Sequence, residues 1–207
     1  MTYNVVCISR DVGAGGEEIG RAVAERLGFR YVDEEIIQLA AKSAGIHPET
    51  VAGTEERHGL VKRLLDSLAQ SSIVMPEAMA FAPELMTTPQ PEGIRELIRE
   101  AVRQTAAGGR AVIVAHAASY VLSGQEGVLR VLVTGSPDVC AGRLAARAGG
   151  DDAGAKRLVS QGRAARADYL QRFHEVGQEL PTHYDLVINT DQLEVDAAVG
   201  AVIAVAG

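Results

Sequence analysis

The chain has 207 residues, with 20 Lys plus Arg against 27 Asp plus Glu and a net charge of −7. That length suits one domain, or one domain carrying an insertion, and buries a core without covalent staples. Hydrophobic residues are 47% and charged residues 23%, which excludes a disordered chain, a collagen-like chain and a disulfide scaffold, while the acidic balance argues against a nucleic-acid-coating protein.

Val5 to Ser9 is a short β-branched apolar run, followed by the turn Gly13-Ala14-Gly15-Gly16. From Glu17 to Leu27, apolar residues recur at Ile19, Val23, Ala24 and Leu27. Acids in the first turn suit a helix start, and Gly28 suits its end. Phe29 to Val32 reads as a second strand ending at Asp33, and residues 34 to 44 as a helix with Ile36, Ile37, Leu39 and Ala40 inward. Residues 48 to 70 are helical and more charged. Between 71 and 91, Pro76, Pro83, Pro89 and Pro91 break any helix, while Met75, Met79, Phe81, Leu85 and Met86 keep the segment apolar. Flexible methionines suit an adaptable contact surface, so this stretch reads as a flap, a homodimer contact or a plain linker.

A helix over about 92 to 107 stops at Gly108-Gly109. Ala111 to Ala115 and Leu129 to Thr134 are apolar strands, separated from the later elements by a helix from Pro137 to about Arg147. Gly149-Gly150-Asp151-Asp152 is a break, 155 to 173 an Arg-rich helix, Tyr184 to Asn189 the last strand, and Gln192 onward the last helix. Continuous apolar strands alternating with helices predict a five-stranded parallel sheet covered on both faces.

The opening Ser9-Arg10-Asp11-Val12-Gly13-Ala14-Gly15-Gly16-Glu17 sits between a strand and a helix. Glycines let backbone N–H groups turn towards an anion, and a helix start adds its dipole. A GxxxxGK[ST] phosphate loop needs Gly, Lys and Ser/Thr where this chain has Arg10, Gly16 and Glu17. A tight strand-to-helix turn without a ligand explains the same residues. Arg143 and Arg147 lie four apart on one helix and so share a face. Arg157, Arg163 and Arg166 extend the basic stretch; a solvated helix face is the rival reading. Lys42, Lys62 and Lys156 are the only lysines. Arginine's planar fork suits phosphate, although codon bias gives the same split.

Other chemistries are not signalled. His47, His58, His116, His174 and His183 show no zinc spacing, no GxSxG turn is present, and Gly13-x-Gly15 continues to Glu18 instead of a third glycine. Cys7 and Cys140 stand alone in apolar stretches and read as reduced core thiols of a cytoplasmic protein. Met1 to Asn4 carries no basic leader region, and no apolar run approaches the roughly 20 residues of a membrane span.

The run ISRDVGAGG with Glu17-Glu18-Ile19-Gly20, then AERLGFRYVDEEII, resembles the opening of the cytidylate kinase-like family. AVIVAHAASYVL, LRVLVTGSPDVCAGRLAAR, RADYLQRF and THYDLVINTDQL extend the resemblance in order, over all but about 71 to 91. It implies a three-layer P-loop kinase-like α/β fold, with an inserted helical subdomain at 45–108 within one domain of 1–207. It also implies roles. Gly13, Ala14, Gly15 and Gly16, with the amides of Glu17 and Glu18, would wrap the donor phosphates of ATP, with Mg accompanying them. Asp33 and His116 would face the acceptor nucleotide; a helix cap and a structural hydrogen-bonder are their other readings. Arg10, Arg143 and Arg147 would meet phosphoryl charge, with Arg10 standing in for the missing lysine.

The departures lie in the metal-phosphate machinery. Where cytidylate kinases carry an Asp-Gly-Arg run, this chain has Val114-Ala115-His116. Phosphoryl transfer rests on positioning and charge neutralisation. The expectations are therefore a small kinase acting on a nucleotide-like acceptor, or a nucleotide-binding regulatory module or partner-binding scaffold that has lost transfer.

Overall fold

The computed structural model describes residues 2–33, 91–114, 117–147 and 150–207. By their internal contacts the residues form two compact units, 1–34 with 102–207, and 35–101. The expected helix over 34–44, the charged stretch 48–70, the segment 71–90 and His116 lie outside the described residues. Of the helix α2 (Pro91–Ala107), the part from Val102 on belongs to the first unit.

The first unit is an α/β sandwich around five parallel strands: β1 (Val5–Arg10), β2 (Arg30–Val32), β3 (Ala111–Ile113), β4 (Val128–Thr134) and β5 (Leu186–Asn189), in the spatial order β2-β3-β1-β4-β5. Val5 faces Ala111 on one side and Val128 on the other. A central strand is buried on both faces, which is why VVCIS contains no charged residue. Alternation sends its side chains to opposite faces. Val6 and Ile8 join Leu129, Val131, Val133 and Ile188 in one apolar cluster. That cluster also takes Ile19 and Val23 of α1 (Gly16–Leu27) and Val199 and Val202 of the C-terminal helix, α6 (Val195–Ala206). Val5 and Cys7, buried outside the cluster, point the other way. Burial there pushes the Cys7 thiol up to about 12, against the pull of Arg130. Both cysteines are free and buried.

Between β3 and β4 lies the four-residue helix α3 (Ala118–Val121). After β4 come α4 (Pro137–Arg147), α5 (Asp152–His174) and a single 3-10 turn at Pro181–His183. Helix α4 packs on α5, and α1 on α6. The strand count and the parallel sheet follow the sequence expectation; α3 and the 3-10 turn do not, since neither is long enough to show a period. The Asp151 carboxylate caps α5 through the Gly154 amide at 2.9 Å, so the helix begins at Asp152, three residues before the expected start. The chain leaves β1 towards β2 and β3 and returns to β4 on the opposite side. This places the end of β1 at the switch point of the sheet, where such folds open a crevice.

Candidate functional site

The switch point is filled by the turn Asp11–Gly15. Gly13 and Gly15 both have φ of +83°, a left-handed conformation that disfavours any side chain. Gly13 has a second reason to be glycine: a Cβ there would stand 2.6 Å from the Cys140 carbonyl oxygen, on α4. Gly15 caps α1 without a side-chain hydrogen bond. The start of the helix, with Glu17 and Glu18 in its first turn, thus carries uncapped amides.

Around this turn the structure gathers arginines. A cavity of about 350 Å³ is lined by Gly13 and Glu17, by Arg10 of β1 and Arg147 of α4, and by Arg163 and Arg166 of α5. Arg163 and Arg166, one turn apart on α5, also line a larger cavity of about 570 Å³. Its lining includes the apolar Leu132, Leu170 and Val176 and the polar Ser136, Asn189 and Asp191. Asp11 borders both cavities.

Each of these arginines has a carboxylate. Arg10 pairs with Glu17 across the turn, and its Nη1 lies 3.5 Å from the Val114 carbonyl. Arg147 meets Glu18 at 3.0 Å in the open. Arg163 donates to Asp11 at 3.0 Å, and that carboxylate also accepts from the Thr134 hydroxyl at 2.7 Å. Arg166 grips Glu179 with two parallel hydrogen bonds of 2.8 and 2.6 Å. Tyr184 donates to the same carboxylate, and Tyr120 approaches it at 3.5 Å. Burial by itself raises the Glu179 carboxyl, but the bonds and charge of Arg166 outweigh it and hold the group below its ordinary value. Burial also works against the Arg166 charge, and Glu179 reverses that too, so Arg166 is raised. Tyr184 is raised by burial and by its bond to Glu179.

The two arginines expected to share a face part company. Arg147 reaches the loop-side cavity. Arg143 borders neither cavity. Its Nη1 donates to the Thr190 hydroxyl at 2.8 Å, and its Nη2 to the Thr190 carbonyl. Asp33 sits just past β2, where its carboxylate accepts from Tyr31 at 3.2 Å; the Arg21 guanidinium lies 4.3 Å from the Tyr31 ring centre. Burial and then Asp33 push the Tyr31 hydroxyl up to about 12.

Sequence reasoning did not single out Asp11, Thr190 or Glu179. Asp11 was open to discovery, because a carboxylate inside a glycine turn expected to bind an anion calls for a neutralising cation. Thr190 and Glu179 carry no local signal. Among the described residues no three His, Cys, Asp or Glu side chains gather to hold a metal, and no helix is long and apolar enough to cross a membrane.

Solved structures share the fold over nearly their whole length. A protein of undefined function from Eubacterium ventriosum ATCC 27560 superposes with a TM-score of 0.66 at 18% identity, covering 98% of this chain and 97% of that one. A shikimate kinase from Bacteroides thetaiotaomicron gives 0.54 at 18% identity, covering 97% of each. A gluconokinase from Sinorhizobium meliloti 1021 gives 0.52 at 14%, covering 100% of this chain and 95% of that one. The fold is thus that of the P-loop kinases. No curated protein matches the sequence. The sequence model of the cytidylate kinase-like family matches residues 5–192; with its strand order, its glycine turn and a match across most of its length, the chain belongs to the cytidylate kinase-like family.

Proposed function

We propose that this chain binds a nucleoside triphosphate with its phosphates over Gly13–Glu18 and transfers the terminal phosphoryl group to a small nucleotide-like acceptor. The observation that carries this reading is the cavity beside the glycine turn, lined by Arg10, Arg147, Arg163 and Arg166 in a chain of net charge −7. Four arginines lining one cavity beside the helix-start amides suit a polyphosphate, which would have to draw them from the carboxylates that now pair with them. The larger cavity shares Asp11, Arg163 and Arg166 with the smaller one, and its mixed apolar and polar lining suits the nucleoside end. Asp33, and His116 by the family resemblance, would serve the acceptor.

Magnesium accompanies such nucleotides in related kinases. The carboxylates beside the turn, Asp11, Glu17 and Glu18, are each held by an arginine. The described residues therefore do not offer the oxygen set that magnesium prefers, and transfer here rests on arginine charge. An arginine supplied to an otherwise complete site is worth about 10³–10⁵ in rate, so this site is expected to turn over slowly. A second reading, a nucleotide-binding module without transfer, is favoured by one observation: Gly16 and Glu17 stand where the lysine and hydroxyl belong, and Glu17 neutralises Arg10.

Thermal shift with ATP, with and without magnesium, combined with ATP consumption against CMP, dCMP, UMP and AMP, tests both readings. Stabilisation with turnover supports the kinase. Stabilisation alone supports the module, since a ligand that binds only the folded state must raise the melting temperature. No stabilisation at millimolar ATP rules out both. A cytoplasmic homodimer formed through residues 71–91 belongs to the same proposal, and light scattering on a chain lacking 73–88 tests it.

A further inference from the structure

We propose that Thr190 is a positioning residue that holds the glycine turn in its anion-binding form, and that Arg143 acts through Thr190 instead of touching phosphate. Thr190 follows β5 and is 3% exposed. Its hydroxyl has one proton to give and two lone pairs to fill. Arg143 Nη1 fills one at 2.8 Å. The proton has two carbonyls in reach, Ala14 at 3.0 Å and Thr134 at 3.1 Å. The Thr134 oxygen already accepts the Thr190 backbone amide at 2.9 Å and Ala14 is the nearer of the two, so we assign the hydroxyl proton to Ala14.

That bond sets the direction of the next amide. In a planar trans peptide the C=O and the following N–H point opposite ways. Holding the Ala14 carbonyl towards Thr190 turns the Gly15 N–H away from it, at the junction where α1 begins. A charged donor on the same hydroxyl polarises it and strengthens its donation. Arg143 has both terminal nitrogens on Thr190 and borders neither cavity. Its charge is therefore committed to the underside of the turn, in contrast to Arg147, Arg163 and Arg166. This inference rests on the reading that the turn binds phosphates.

A double-mutant cycle on the full chain tests it, with ATP and inorganic pyrophosphate as probes. Thr190→Val removes two buried hydrogen bonds, the donation to Ala14 and the acceptance from Arg143 Nη1, at little change in shape, so affinity for both probes falls about tenfold; Thr190→Ser restores it. Arg143→Ala weakens binding by a similar factor. The double variant binds no more weakly than the worse single variant, because both substitutions break the same link. Additive losses would overturn the proposal, as Arg143 would then contribute by itself. A drop in melting temperature with unchanged affinity would overturn it too, by reducing Thr190 to a structural role. Should Thr190→Val not fold, Arg143→Ala, Arg143→Lys and Thr190→Ser run the same comparison. A separate arm uses the ligand-free protein: the Gly15 amide resonance moves in Thr190→Val and Arg143→Ala and returns in Thr190→Ser. If the unmodified chain binds neither probe, the phosphate reading fails while this arm still decides the positioning. A Gly15 resonance indifferent to both residues contradicts it.

Discussion

Two walls face the same cavity and are built on opposite principles. The β1–α1 wall is chiefly backbone: glycine conformations and amides fixed by covalent geometry, with the Ala14 carbonyl tied down from behind and only Arg10 and Glu17, paired with each other, adding charge. The α5 wall is side chain: Arg163 and Arg166 carry the charge, and each is held by a carboxylate, Asp11 and Glu179. A backbone wall needs no counter-ion and is rigid where it stands. A side-chain wall brings full charges, which must be neutralised when they are half buried. On the proposed reading, the carboxylates that pair with these arginines would compete with an incoming phosphate. Binding should therefore respond to the first wall through shape and to the second through charge.

The sharpest way to break the first wall is Gly13→Ala. It adds left-handed strain and a contact 2.6 Å from the Cys140 carbonyl oxygen, and we expect a loss of about 2–3 kcal/mol in urea unfolding. Gly15→Ala has the same φ of +83° but nothing within 4 Å of the added carbon, so about 1 kcal/mol is expected. Equal losses would mean that the approach of α4 to the turn is not felt.

The second wall breaks at Glu179→Gln. Arg166, with its side chain only 21% exposed, loses the counter-charge and one of its two hydrogen bonds, since the Gln amide has a single acceptor oxygen, at about 2 kcal/mol. The pH dependence gives the sign. The folded Glu179 carboxyl lies below its ordinary 4.5, so the unfolded chain takes up the proton first as pH falls. The stabilisation is complete above that value and is lost between it and the lower folded one. Urea midpoints should therefore fall less steeply in acid for Glu179→Gln than for the unmodified chain. Parallel acid limbs would contradict the pairing.

A smaller effect separates the site from the scaffold. Asp185 holds Arg130 through two oxygens, at 2.7 and 3.1 Å, and neither residue lines either cavity. Its carboxyl is lowered chiefly by the hydrogen bonds from Arg130. Asp185→Asn is expected to cost about 1 kcal/mol of stability with ATP affinity intact. A change in affinity would show that this edge of the sheet reports to the site. The smallest effect belongs to Arg147→Ala. Its pair with Glu18 is solvent-exposed, so stability changes by no more than about 0.5 kcal/mol, and the substitution acts on ATP affinity alone.

What could be read from the residues follows the same division. The glycine turn was legible because glycine, strand and helix start are adjacent in the chain: β1 ends at Arg10 and α1 begins at Gly16, one residue from the expected positions. The parallel sheet was legible because double burial writes a continuous apolar run. The side-chain wall was only half legible. Arg163 and Arg166 stood out as a basic stretch, but their partners did not. Asp11 and Arg163 are 152 residues apart, and Arg143 finds Thr190 across 47. The i, i+4 rule correctly put Arg143 and Arg147 on one helix flank, yet long side chains diverge, and only the packed end of β5 decides which way Arg143 turns.

The central claim is that the glycine turn and the arginines of α5 form one phosphate site. Titrating isotope-labelled protein with ADP and following its amide and arginine side-chain resonances tests that claim directly. We expect the amides of Gly13 to Glu18 and the side-chain N–H groups of Arg163 and Arg166 to move together, along one saturating curve. Static resonances in the turn, or a turn and an α5 that saturate at different ADP concentrations, would contradict a single site.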